Sequence, residues 1–180
     1  VLRKKYALGN EKIILHASTP KPRRGQRFLN YETFDEYVDG ICSLIKAVDG
    51  IKGVHLVVRY RVLDNLSVEE LKSILPKPSS YSIGSDGTFI DYLSIADLLV
   101  SYSSSTIEEA LQNNIPVLLY DKYNRYTHIK GSDIMPEITD VRPSAVYNVN
   151  SEKNLLFAID IWPRLSYVMT YDRANDRAPA

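Results

Sequence analysis

Two continuous apolar runs, Leu98-Leu99-Val100 and Val117-Leu118-Leu119, are separated only by a Ser-rich turn and one short amphipathic segment. Uninterrupted runs of that length suit strands covered on both faces, as in a parallel sheet. Parallel strands need a crossover, so Asp97 to Asp121 predicts strand, turn, helix and strand. The turn holds Ser103, Ser104, Ser105 and Thr106. Hydroxyls beside a helix N-terminus, with its free N–H groups and positive dipole end, suit phosphate. Ser105-Thr106-Ile107-Glu108 has capping-box spacing. Ile107, Ala110 and Leu111 form the apolar face, and Asn114 suits the left-handed residue that ends a helix. Glu109 lies one residue past the capping position. A carboxylate there can accept hydrogen bonds from the two vicinal hydroxyls of a ribose. The position equally suits a surface glutamate gaining about 0.3–1 kcal/mol from the helix dipole.

The same alternation extends along the chain. Ile13-Ile14-Leu15 reads as a first strand ending at His16, and Val54 to Tyr60 as a second, entered through a turn bracketed by Gly50 and Gly53. Between them Thr33-Phe34-Asp35-Glu36 is a capping box. It opens a helix whose apolar positions Phe34, Tyr37, Val38, Ile41, Leu44, Ile45 and Val48 follow the 3.6 period. Ser67 to Leu75 is a second capped helix, Tyr81-Ser82-Ile83 a third strand, and Thr88 to Ala96 a short helix. Residues 122–144 read as irregular. Ala145 to Val149 is a sixth strand, and Ser151 caps a last helix. The predicted class is α/β, a Rossmann-like open parallel sheet of about six strands with helices on both faces. The expected division is a linker over 1–10, following an N-terminal domain that lies outside this chain, then a domain over 11–165 and a tail over 166–180. The chain opens on Val1 rather than Met and is read as a piece of a longer protein.

Composition narrows the function. The 180 residues are 44% apolar, enough for a sizeable core, and Lys+Arg balance Asp+Glu at 22 each, so bulk charge does not argue for nucleic acid or an anionic membrane. Neither nucleic acid nor direct membrane insertion is expected. A cytoplasmic place is, the inner face of a membrane included. Cys42 is a lone cysteine inside a helical pattern and reads as a small core residue. His16, His55 and His128 lack metal-ligand spacing, and no metal or cofactor is expected. No P-loop, no G-x-G-x-x-G after the first strand and no G-x-S-x-G elbow occurs.

Open parallel sheets bind ligands beyond the carboxyl ends of their strands. The relevant loops are therefore Ser18 to Arg27, Arg59 to Asp64, Tyr102 to Thr106, and Asp121 to His128. The first holds Lys21, Arg23, Arg24 and Arg27, and Arg59 and Arg61 end the second strand on the same edge. Together they could clamp a diphosphate, or serve as an ordinary basic surface. His16, at the end of the first strand, is open to a structural or a substrate-facing role.

The stretch IADLLVSYSSSTIEEALQNNIPVLLYD resembles the donor-binding half of GT-B glycosyltransferases and of the related UDP-N-acetylglucosamine 2-epimerases. These families have a strand, a small-residue turn and a helix bearing a glutamate seven residues before a proline, here Glu109 and Pro116. The resemblance implies that Glu109 holds the ribose of a nucleotide-sugar, a UDP-sugar being the expected donor. It implies that Ser103 to Thr106 hold the diphosphate, and that the loop around Ile83-Gly84 lies near the base. It implies a sugar transfer, in surface or capsular polysaccharide synthesis, with the acceptor brought by the N-terminal domain. Ser101 stands eight residues before Glu109, where many retaining transferases have a second glutamate. His16-Ala17-Ser18 replaces the His-Arg-Glu run of the epimerases. An epimerase-like enzyme and a non-catalytic α/β binding domain are the alternatives.

Overall fold

The computed structural model of the chain describes residues 2–17, 32–62, 66–77, 80–126, 128–138, 141 and 144–162. Its strands are β1 (Lys12–His16), β2 (Val54–Arg59), β3 (Tyr81–Gly84), β4 (Leu98–Ser101), β5 (Val117–Tyr120), β6 (Ser132–Asp133) and β7 (Val146–Val149). The helices are α1 (Leu2–Lys5), α2 (Phe34–Val48), α3 (Val68–Ile74), α4 (Phe89–Leu93), α5 (Thr106–Gln112) and α6, covering 152–162. The strands form one seven-stranded sheet, order β3-β2-β1-β4-β5-β7-β6, and every pair is parallel.

Alternation along each strand divides the core into two layers. Ile14, Leu56, Val58, Val100 and Leu118 pack with Ile41, Leu44 and Ile45 of α2, Leu71 of α3 and Leu155, Ala158 and Ile159 of α6. Ile13, Leu15, Val57, Leu99, Val117 and Leu119 pack with Tyr92 and Leu93 of α4 and Ile107 and Ala110 of α5. The unbroken apolar runs are therefore buried on both faces, as the parallel reading requires. Leu2 of α1 joins the second layer, Lys5 pairs with Asp86 at 2.5 Å, and residues 2–5 thus pack on the domain.

The helix starts follow local chemistry. Thr33, Ser67 and Thr88 each cap through a reciprocal box with Glu36, Glu70 and Asp91. Ser151 Oγ accepts from the Asn154 N–H at 3.1 Å. Gly50 and Gly53 take φ of 83° and 76° in the turn before β2, and Asn114 takes 58° after α5, conformations that Gly and Asn adopt at low cost.

Three details depart from expectation. The region 122–144 contributes β6, a two-residue edge strand too short and too polar to show periodicity; Asn148 Nδ2 supports it by donating to the Gly131 carbonyl at 3.0 Å. The helix expected over 88–96 stops at Leu93. The expected capping box at Ser105 does not form. Ser105 already has helical angles, φ −60° and ψ −12°, so its side chain makes no cap bond. Its partner Glu108 instead receives His128 Nε2 at 2.7 Å.

Candidate functional site at the carboxyl edge of the sheet

From β1 the chain crosses to β2 on one side, and from β4 it crosses to β5 on the other. The crevice between β1 and β4 is therefore the topological switch point, where open α/β sheets bind ligands. Its floor is tied together by one carbonyl: Ala17 O accepts from Ser101 Oγ and from Thr106 Oγ1, both at 2.9 Å. The first bond locks β4 to the end of β1, and the second fixes the start of α5. The Thr106 hydroxyl proton is thus already engaged. Ser104 Oγ accepts from the Thr106 N–H at 3.4 Å, while Ser103 is half-buried and Ser105 exposed. Glu109 lies in the first turn of α5, exposed, and its carboxylate has no partner among the described residues.

The loop after β5 closes one side of this crevice. The Asp121 carboxylate accepts the N–H groups of Tyr123, Arg125 and Tyr126. That folds the loop so that Arg125 Nη2 meets Glu36 at 2.8 Å and Lys122 Nζ meets Asp39 at 2.6 Å, both on α2. Tyr123 Oη also donates to Asp39 at 3.2 Å. Further along, the rings of Tyr102, Tyr126 and His128 pack edge to face, and His128 reaches Glu108.

Arg125 and the Thr33 cap hold the Glu36 carboxyl down at about 2, from an ordinary 4.5. A lowered carboxyl stabilises the fold fully above about 4.5 and loses that contribution as the pH falls towards about 2. Arg125 is 37% exposed, and screening there reduces the contribution to about 1–2 kcal/mol. Glu36→Gln is expected to cost that much at neutral pH and to flatten the stability curve between pH 4.5 and 2. Urea unfolding across that range reads it, and an unchanged acid limb would refute the assignment.

The expected site residues divide between the two faces of the sheet. Arg59 stands beside Gly84 in register, and its guanidinium lies 5.8 Å from the Phe89 ring and 5.6 Å from the Tyr92 ring of α4. Its Nε is buried without a hydrogen-bond partner among the described residues. Gly84 leaves no room for a side chain, because a Cβ would meet the hydroxyls of Tyr6 and Tyr92. His16 points to the opposite layer, its ring 5.8 Å from that of Tyr37 on α2. Burial lowers its imidazole to about 4, so it is neutral at ordinary pH. Arg23 and Arg24 lie outside the described residues.

The pocket at this edge is lined by His16, Tyr37, Tyr102, Tyr120 and Tyr123, with Glu36 and Arg125 at its side. Tyr37 and Glu36 were legible only as a core residue and a cap residue. Tyr37 sits on the apolar stripe of α2, and nothing in its spacing separates it from Ile41 or Leu44. Among the described residues, no cluster of His, Cys, Asp and Glu could hold a metal ion, and no helix is long and apolar enough to cross a membrane.

No family model matches the sequence, and no curated protein does. Solved structures do match its fold. The UDP-N-acetylglucosamine 2-epimerase described as putative from Listeria monocytogenes aligns at 15% identity and a TM-score of 0.55, covering 92% of this chain and 39% of that one. MnaA of S. aureus, in a co-structure with UDP, aligns at 15% identity and 0.57, covering 93% and 41%. The wall teichoic acid polymerase TagF, with CDPG, aligns at 17% identity and 0.52, covering 94% and 39%. The chain has a GT-B domain fold. It spans about two fifths of the length of these proteins. At such identities the likeness is one of fold.

Proposed function

We propose that this GT-B domain binds the nucleotide-sugar donor of a glycosyltransferase, in surface or capsular polysaccharide synthesis at the cytoplasmic side of a membrane. The carrying observation is the exposed Glu109 carboxylate in the first turn of α5, without a partner among the described residues and next to the turn at Ser103 to Thr106, where Thr106 Oγ1 donates to the Ala17 carbonyl at the end of β1. In this reading Glu109 accepts the ribose hydroxyls, and the serines with Arg59, Arg23 and Arg24 meet the diphosphate. The domain spans 11–165, and a preceding domain brings the acceptor and the catalytic base. Charge stabilisation of the departing nucleoside diphosphate supplies the rate, without a metal ion. A UDP-sugar is the favoured donor, in keeping with the UDP and UDP-GlcNAc named for two of the matched structures.

Calorimetric titration of this chain with UDP, GDP and CDP tests the reading. One nucleotide is expected to bind selectively. Glu109→Ala is expected to weaken it at least about tenfold, since hydrogen bonds to a charged group contribute roughly 1.5–3 kcal/mol. Failure of the folded chain to bind any of them argues against a donor domain. Binding indifferent to Glu109→Ala removes that residue from the site.

The likeness to several UDP-N-acetylglucosamine 2-epimerases supports a second reading, epimerisation at the sugar of the same donor. Acceptor-dependent transfer by the full-length protein separates the two. An epimerase converts its UDP-sugar with no acceptor present.

A further inference from the structure

The loop after β5 is tied to helices on both faces of the sheet. Arg125 Nη2 meets Glu36 at 2.8 Å, Lys122 Nζ meets Asp39 at 2.6 Å, and Tyr123 Oη donates to Asp39 at 3.2 Å, all on α2 in the first layer. His128 Nε2 donates to Glu108 Oε1 at 2.7 Å, on α5 in the second layer. A loop bound to both layers crosses the carboxyl edge of the sheet between them. Tyr126 marks the crossing. Its ring stands edge to face on that of Tyr102, the residue after β4, with centroids 6.2 Å apart. The crossing therefore lies beside the turn at Ser103 to Thr106, and its tie to α5 is the residue next to Glu109.

The two ends are held unequally. The Asp121 carboxylate accepts the N–H groups of Tyr123, Arg125 and Tyr126, which makes that stretch one unit. Three side-chain bonds pin the unit to α2, and Glu36 is only 18% exposed beneath Arg125. At the other end one bond from His128 reaches α5, to a carboxylate 49% exposed. The His128 ring adds an edge-to-face contact with Tyr126, centroids 6.0 Å apart. Past it, Ile129 packs on the second layer and anchors the chain again. Ties like those of His128 are individually weak in water. Segments held by so few buried contacts open without global unfolding.

We propose that the β5 loop is a strap across the end of β4, fixed on α2 through Lys122, Tyr123 and Arg125 and latched on α5 through His128 and Glu108. The latch opens to admit a nucleotide to the turn and closes over it. The strap stands on these contacts alone. Its gating role rests on the donor-domain reading and deepens it. His128 acts on the rates of entry and exit, without touching the ligand.

Chymotrypsin cleavage after Tyr126 tests the strap with no ligand present. In the closed strap the Tyr126 N–H is bonded to Asp121 and its ring is packed, so cleavage there follows the open population. His128→Ala is expected to raise the initial rate, read by mass spectrometry, about three- to tenfold, the worth of one exposed bond and one ring contact. Its melting temperature should stay within about 2 °C. His128→Gln, whose amide can still donate to Glu108, should restore most of the native rate. Lys153→Ala, which breaks the exposed pair with Glu137, should change neither quantity. Surface plasmon resonance with UDP on the immobilised chain then tests the gate. His128→Ala should raise the association and dissociation rate constants by about the factor seen in cleavage, leaving Kd within about threefold. An unraised cleavage rate overturns the strap. So does a gain matched by a lowered melting temperature, which would mean a purely structural role. Raised cleavage with unchanged UDP rates overturns the gate. A weaker UDP complex with an unchanged association rate also overturns it, because His128 would then touch the ligand. Raised cleavage in a chain that binds no UDP removes the donor reading and the gate together and leaves the strap standing.

Discussion

Lowering the pH from about 6.5 to about 4 is expected to remove about 3 kcal/mol of stability through His16 alone. Burial at the end of β1 holds this imidazole at about 4, against an ordinary 6.5. Between those values the unfolded chain binds a proton that the folded chain does not, so stability rises with pH across the window and falls on acidification. Each unit of difference is worth about 1.4 kcal/mol. Above about 6.5 the ring is neutral in both states and contributes no slope. Glu36 acts in a lower window, below about 4.5, so the two effects can be separated. Urea midpoints from pH 4 to 7.5 on the native chain and on His16→Phe make the measurement. The variant should lose most of the slope above pH 4.5. An equal slope in both proteins would mean that His16 takes up its proton without unfolding, as an imidazole open to solvent does.

Gly84→Ala is expected to destabilise the fold by about 3 kcal/mol, the upper end of ordinary overpacking, and to lower the melting temperature by about 6–12 °C. The reason is space, not backbone angle. At Gly84 an added Cβ would run into the hydroxyls of Tyr6 and Tyr92. Tyr92 is fully buried, and its hydroxyl donates to the Asp86 carbonyl at 2.8 Å while lying 3.2 Å from that of Tyr6. Yielding to the methyl group would break that network and shift α4 under Arg59. A thermal melt decides the point. A loss below about 1 kcal/mol would show that the N-terminal segment carrying Tyr6 moves aside freely. The residue expected near a base thus has a packing role of its own, and a binding defect in Gly84→Ala would need a stability control.

The parts of this molecule legible in the sequence are those set by neighbours a few residues apart. Leu98 to Val100 and Val117 to Leu119 marked buried parallel strands because every position in a doubly covered strand must be apolar. Thr33, Ser67 and Thr88 marked helix starts because a cap bond spans only three residues. Asn114 marked a helix end because few side chains tolerate its backbone angles. The Ser-rich turn with Glu109 was visible for the same reason. Strand, turn and helix are contiguous there, and the right-handed crossover rule places them at the ligand edge.

What only the tertiary structure decided involves partners far apart in the chain. Which strands flank β1 is set by sheet pairing, and that pairing made the gap between β1 and β4 the crevice. Glu108 bonds His128, twenty residues away in the chain, and the capping box that its spacing promised is absent because Ser105 is already in helical geometry. Glu36 met Arg125, and Tyr37 turned from one apolar position among seven into a pocket wall, only when the β5 loop folded over α2. Such contacts leave no period in a sequence. They arise when the strand order brings distant parts of the chain to one edge of the sheet.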